Sequence, residues 1–110
     1  MSSFNDHLGL QPGEGDTVVL DTRPEHQIVP GTIHFAVLTT LAEVSAARAA
    51  QASVVPASVH IQLMRRAEPG RLVGRGHVLK RGRRLIAAEG EVYQDERLVA
   101  KASVQFAVVG

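Results

Sequence analysis

Ile28 to Ala52 reads IVPGTIHFAVLTTLAEVSAARAAQA: alanines, leucines and valines entered through Pro30-Gly31. Apolar residues run through it without strand alternation, so the pattern predicts one long helix over residues 33–52, punctuated at its start by the Pro-Gly pair. Its polar members are His34, Thr39, Thr40, Glu43, Ser45, Arg48 and Gln51. A surface helix carries a broad charged face; this one has almost none before Arg48. The helix must therefore be wrapped, and its one carboxylate, Glu43, and the histidine at its mouth, His34, need a reason to be there.

The remaining sequence offers strands as the wrapper. Asp16 to Thr22, DTVVLDT, alternates enough for a strand, and RPEHQIVPG connects it to the helix. Beyond the helix, ASVHIQLMRR puts Val59, Ile61 and Leu63 on one face and Ser58, His60, Gln62 and Met64 on the other. A turn at Ala67–Gly70 leads to RLVGRGHVLK, where Gly74 and Gly76 are expected to mark bulges or bends. Arg81-Gly82 is a tight link to RRLIAAEGEVYQ, and Gln94–Arg97 turns into RLVAKASVQFAVV. There Leu98, Ala100, Ala102, Val104, Phe106 and Val108 form one fully apolar face. The expectation is an α+β fold, a five-stranded antiparallel curved sheet wrapped around one long central helix. It forms a single domain over 1–110, with an N-terminal segment 1–15 (a loop or short helix), the helix 33–52 and a strand meander 57–109.

A chain of 110 residues without cysteine has no disulfide, thiolate metal site or cysteine nucleophile. A core this small gains from association, and an open sheet leaves an edge to be paired, so a homo-oligomer is expected. The N-terminus lacks the basic and apolar regions of a secretory signal, and no apolar run is long enough to span a bilayer. A soluble cytoplasmic protein with no membrane partner is the default. Charge is unevenly placed. Residues 1–63 hold six acids and two bases, residues 64–110 five acids and ten bases, so the second half is suited to an anion. His7, His26, His34, His60 and His77 show no metal-ligand spacing, so no metal is expected. There is no G-x-S-x-G elbow and no phosphate loop. With three Phe, one Tyr and no Trp there is no stacking platform for nucleic acid.

Gly31-Thr32-Ile33-His34 followed by Leu41-Ala42-Glu43 resembles the hotdog-fold acyl-CoA thioesterases, in the branch of small phenylacetate-pathway-type enzymes. Arg65-Arg66-Ala67-Glu68-Pro69-Gly70, Lys80-Arg81-Gly82-Arg83-Arg84-Leu85 and Leu98-Val99-Ala100-Lys101-Ala102 continue the likeness over nearly the whole chain. The resemblance implies a hotdog fold and hydrolysis of an acyl-CoA or related thioester, with no cofactor beyond the coenzyme A of the substrate. It implies an oxyanion held by the Phe35 backbone N–H at the helix mouth, where unpaired amides and the dipole favour negative charge. Glu43 would be the carboxylate that attacks or activates water across a dimer interface, and His34, neutral at the helix mouth, would cap the helix or position the substrate. The resemblance also implies a dimer or a dimer of dimers. Gly31, Thr40 and Gln62 would line the substrate, and Lys80, Arg81 and Arg83 would hold its phosphates. His34-Phe35-Ala36 stands where the family has His-Gly-Gly, and Ile28 where it has asparagine. A non-catalytic hotdog module that binds an acyl or CoA-like ligand, or only assembles, is the alternative.

Overall fold

The structure, a computed structural model, describes residues 3–110. In chain order it holds α1 (Phe4–Leu8), β1 (Gln11–Pro12), β2 (Val18–Asp21), a 3-10 turn (Pro24–His26), β3 (Gln27–Val29), β4 (Thr32–Ile33), α2 (Phe35–Ala50), β5 (Val54–Leu63), β6 (Arg71–Arg81), β7 (Leu85–Gln94) and β8 (Arg97–Val108). Six strands form one sheet in the order β1-β2-β6-β7-β8-β5, every neighbouring pair antiparallel. The five expected strands are all present, and the two-residue β1 adds a sixth at one edge. β5 forms the other edge. A small hairpin of β3 and β4 leads into α2.

The central helix is shorter than the 33–52 expected. His34 caps it rather than joining it, and Gln51 ends it in a left-handed conformation, φ 49°. The strands after it begin at Val54, earlier than 57. The N-terminal segment holds α1, closed by a reciprocal Ser3–Asp6 capping box.

α2 lies against the sheet through Leu38, Leu41, Ala42, Ser45, Ala46 and Ala50, all buried. Small side chains on the helix meet missing side chains on the sheet. A Cβ on Gly76 would meet the carbonyl of Ser45, one on Gly90 the carbonyl of Ala42, and one on Gly74 the Ser45 hydroxyl. Gly74 and Gly76 therefore do not mark bulges. They let the helix backbone approach, and the irregularity in β6 falls between Val78 and Lys80. Leu20, Leu72, Ile86, Val92, Val104 and Phe106 complete the core.

Candidate active site

The helix mouth is built by backbone. The His34 N–H donates to the His26 carbonyl (2.8 Å), and the Ile33 N–H to that of Ala67 (2.9 Å). The His34 Nδ1 then accepts from the Ala36 N–H at 2.9 Å, leaving Nε2 to carry the ring proton. His34 is thus an N-cap, and it uses up one of the free amides of the first turn. The next candidate donor is the Phe35 N–H, which has no acceptor among the described residues. The Phe35 side chain is exposed. The ring stacks on His34 (centroids 4.7 Å apart) and lines an apolar cleft of about 360 Å³ with Leu38, Leu63 and Met64.

Glu43 sits two turns further along. Ser45 lies over Gly74 and Gly76 of β6, and Ala42 over Gly90 of β7. At about 100° per residue, the rotation from Ser45 to Ala42 continues in the same sense to Glu43, away from β6 and toward the β8–β5 side. Glu43 is partly buried and has no hydrogen bond or ion pair among the described residues. Burial alone pushes its pKa above the usual carboxylate value. The hydroxyls beside it are already used: Thr39 donates to the Phe35 carbonyl and Thr40 to that of Ala36, both at 2.8 Å. Thr40 therefore supports the helix, and Glu43 is the seam's only ionisable group.

The other sequence-expected residues disperse. Gly31 sits in the β3–β4 turn at φ 86° and donates to the Gln27 side chain (2.7 Å). That conformation favours glycine and shapes the approach to the mouth. Gln62 pairs with Lys101, on the face opposite the core-facing Ile61–Ala102 pair. It therefore lies on the convex side of the sheet, away from Glu43. Gly82–Arg84 form the β6–β7 connection, so Arg83 and Arg84 are not on a strand and do not point to opposite faces. Both line one pocket of about 330 Å³ with Lys80, Ala87 and Gln105, again on the convex side. Arg81 pairs with the buried Ile86 and stands apart from them.

Two features were missed in the sequence. His26 is buried, with its Nδ1 accepting from the Arg23 N–H at 3.0 Å. Burial, then the charge of Arg23, lowers its pKa. Arg65, Arg66 and Arg97 line a polar cleft at the end of the sheet nearest the helix mouth. Their clustering needs the β7–β8 turn folded against the end of β5, which spacing alone does not disclose.

One helix held in the concave face of an antiparallel sheet defines a hotdog-fold protein. Residues 23–107 match the family described as the acyl-CoA thioesterase N-terminal domain, and the chain belongs to that family. No curated protein matches it in sequence. Among solved structures it is similar to a conserved protein from Pseudomonas aeruginosa (TM-score 0.87, 25% identity, 99% of this chain and 95% of that one). It is also similar to a single-site mutant of the phenylacetic acid degradation protein PaaI from Thermus thermophilus (TM-score 0.86, 25% identity, 96% and 98% covered). A thioesterase from Haemophilus influenzae shares the fold at 18% identity (TM-score 0.87, 98% and 83% covered).

Proposed function

We propose that the protein hydrolyses a thioester of the acyl-CoA type, at a site completed by a second copy of the chain. The observation that carries the reading is Glu43: a partly buried carboxylate without a partner among the described residues, on the free seam of a largely apolar helix. A group held so is costly unless it is used. The Phe35 N–H, unpaired at the positive end of the helix, supplies the second requirement, a donor for the oxygen of the tetrahedral intermediate. In the water-activating form, Glu43 takes a proton from water, whose oxygen bonds to the thioester carbon. The C–S bond then breaks, and the proton passes to the departing thiolate, giving acid and thiol. In the covalent form, the Glu43 oxygen bonds to the thioester carbon, the C–S bond breaks and the thiolate leaves to take a proton from solvent; water then cleaves the anhydride, releasing the acid and returning the Glu43 carboxylate.

β5 supports the shared site. Val55, Val59, Leu63 and Met64 are exposed along the end and face of a free edge strand, and Glu43 turns toward that side. Pairing β5 with its copy would cover the edge and bring a second helix mouth to each Glu43. The test is release of free thiol from a panel of short, aromatic and long acyl-CoAs. Turnover of one class, lost in Glu43→Gln, is the expected result. No release from any member leaves the binding-only module as the function.

A further inference from the structure

Among the described residues His26 is the only ionisable side chain that is fully enclosed, 3% exposed, and the hydrolysis of a thioester makes no direct use of it. Its ring is engaged at both nitrogens. Nδ1 accepts from the Arg23 N–H at 3.0 Å, so Nε2 carries the ring proton and faces the Leu8 carbonyl of α1. The Arg23 guanidinium grips the same helix end, donating to the His7 carbonyl at 2.7 Å and to the Leu8 carbonyl at 3.2 Å. The His26 N–H donates to the Arg23 carbonyl at 2.9 Å. Ring and backbone therefore close the 3-10 turn from both sides, as in a capping box. The turn delivers the His26 carbonyl, which accepts from the His34 N–H at 2.8 Å. His34 Nδ1 accepts in turn from the Ala36 N–H at 2.9 Å. The peptide that joins His34 to Phe35, and carries the candidate oxyanion donor, is thus pinned by the bond before it and the bond after it. An unbroken run of hydrogen bonds leads to it from α1.

We infer that His26 is a positioning residue for the reaction: its ring sets the 3-10 turn whose carbonyl aims the Phe35 amide at the thioester oxygen. This rests on the thioesterase reading and deepens it. A side chain without an acceptor in place of Nδ1 would leave the Arg23 N–H unpaired in a part-buried turn, and the turn would shift to satisfy it. A small shift is costly at such a donor. Oxyanion stabilisation depends on preorganised geometry, and a misplacement of about 1 Å can slow a reaction by about 10². The loss belongs in kcat, because the amide bonds more strongly to the developing oxyanion than to the ground-state carbonyl.

Two variants and a titration test this. His26→Leu removes the acceptor; His26→Gln restores one, since an amide side chain at the third position of the turn reaches back to the cap N–H. With the acyl-CoA that wild type turns over fastest, His26→Leu should lose about 10–100-fold in kcat with KM within about twofold, and His26→Gln should recover most of the loss. A folded His26→Leu with the wild-type kcat overturns the inference. So does a defect in KM alone, or a kcat loss that His26→Gln shares in full. The titration needs neither catalysis nor His26→Leu to fold. It follows the Phe35 amide by ¹⁵N NMR in His34→Asn, where asparagine still caps the helix and cannot titrate. The charged or titratable groups about the His26 ring are Arg23 and Glu25 of its own turn and His7 of α1. The ring's own ¹³C resonance identifies which midpoint belongs to His26, expected below 6.5. Protonated Nδ1 can no longer accept from the Arg23 N–H, so the Phe35 amide should move with that midpoint, and should lose the movement when His26→Gln is added. A Phe35 amide that ignores it overturns the inference. If wild type hydrolyses no thioester, the thioesterase reading fails, and the titration still decides whether His26 sets the helix mouth. If thioesters are hydrolysed and the amide ignores the ring, only the role of His26 fails.

Discussion

Glu43 makes two predictions that pull in opposite directions, which separates a working group from a structural one. Glu43→Gln keeps the size and removes the base, so turnover in the thiol-release assay should fall by about 10² or more. Stability should not fall with it. The native pKa of Glu43 is raised by burial, so the folded state holds the proton more firmly than the unfolded chain. That favours folding below the ordinary carboxylate value and is lost as pH rises through the native pKa. Near neutral pH the charged group opposes folding, so Glu43→Gln should unfold at the same temperature or higher, with a flatter profile above the ordinary carboxylate range. A variant both inactive and clearly less stable at neutral pH would mark Glu43 as a fold determinant. The residue was legible in the sequence because nothing else on the helix is like it. His26 was not, because its surroundings exist only after folding.

At the scale of elements, the approach of α2 to β6 and β7 decides where Glu43 stands. A methyl group on Gly90 would occupy the place of the Ala42 carbonyl, next in sequence to Glu43. Gly90→Ala should therefore cost about 1–3 kcal/mol, the usual range for overpacking. Thermal unfolding should show that loss, accompanied by reduced turnover. An unchanged melting temperature would mean that the helix is not seated on this glycine. The helix mouth has its own anchor in the 3-10 turn, where His26 fixes His34 through its carbonyl. Its lowered pKa means that the unfolded chain binds the proton more readily. The stability His26 contributes is present above the ordinary histidine value near 6.5 and is lost as pH falls from there toward the native pKa. Wild type should lose melting temperature on acidification through that window, and His26→Asn should lose less. Equal slopes would remove His26 as the cause. Element types, and the wrapping of helix by sheet, were legible because period-two strands flank an apolar helix. The role of Gly74 and Gly76 was misread because a strand glycine signals either a bulge or a close neighbour, and only the packed structure says which. The β6–β7 connection was misjudged by the same route: two adjacent arginines read as strand residues, whereas the chain turns there and gathers both on one side.

At the scale of the molecule, the free edge is the remaining consequence to test. Pro56 and the bulge between it and Ser58 interrupt the first half of β5, and Ser58–Leu63 continues as regular strand. Interruptions of this kind limit where an edge can pair, so a second copy should join along the regular half. Val59, 41% exposed and lying there, would be covered by the joint. Replacing it with lysine places a charge within that joint. Val59→Lys should therefore shift sedimentation from dimer to monomer at micromolar protein, with the circular dichroism of the fold retained. Turnover should fall in proportion to the dimer lost, because each Glu43 would be separated from the other subunit's Phe35 amide. Wild type should show the same link on dilution, its activity per chain dropping as sedimentation reports dissociation. A folded monomer at micromolar concentration with full activity would place the whole site within one chain, and Glu43 would then have to act with the Phe35 amide of its own helix.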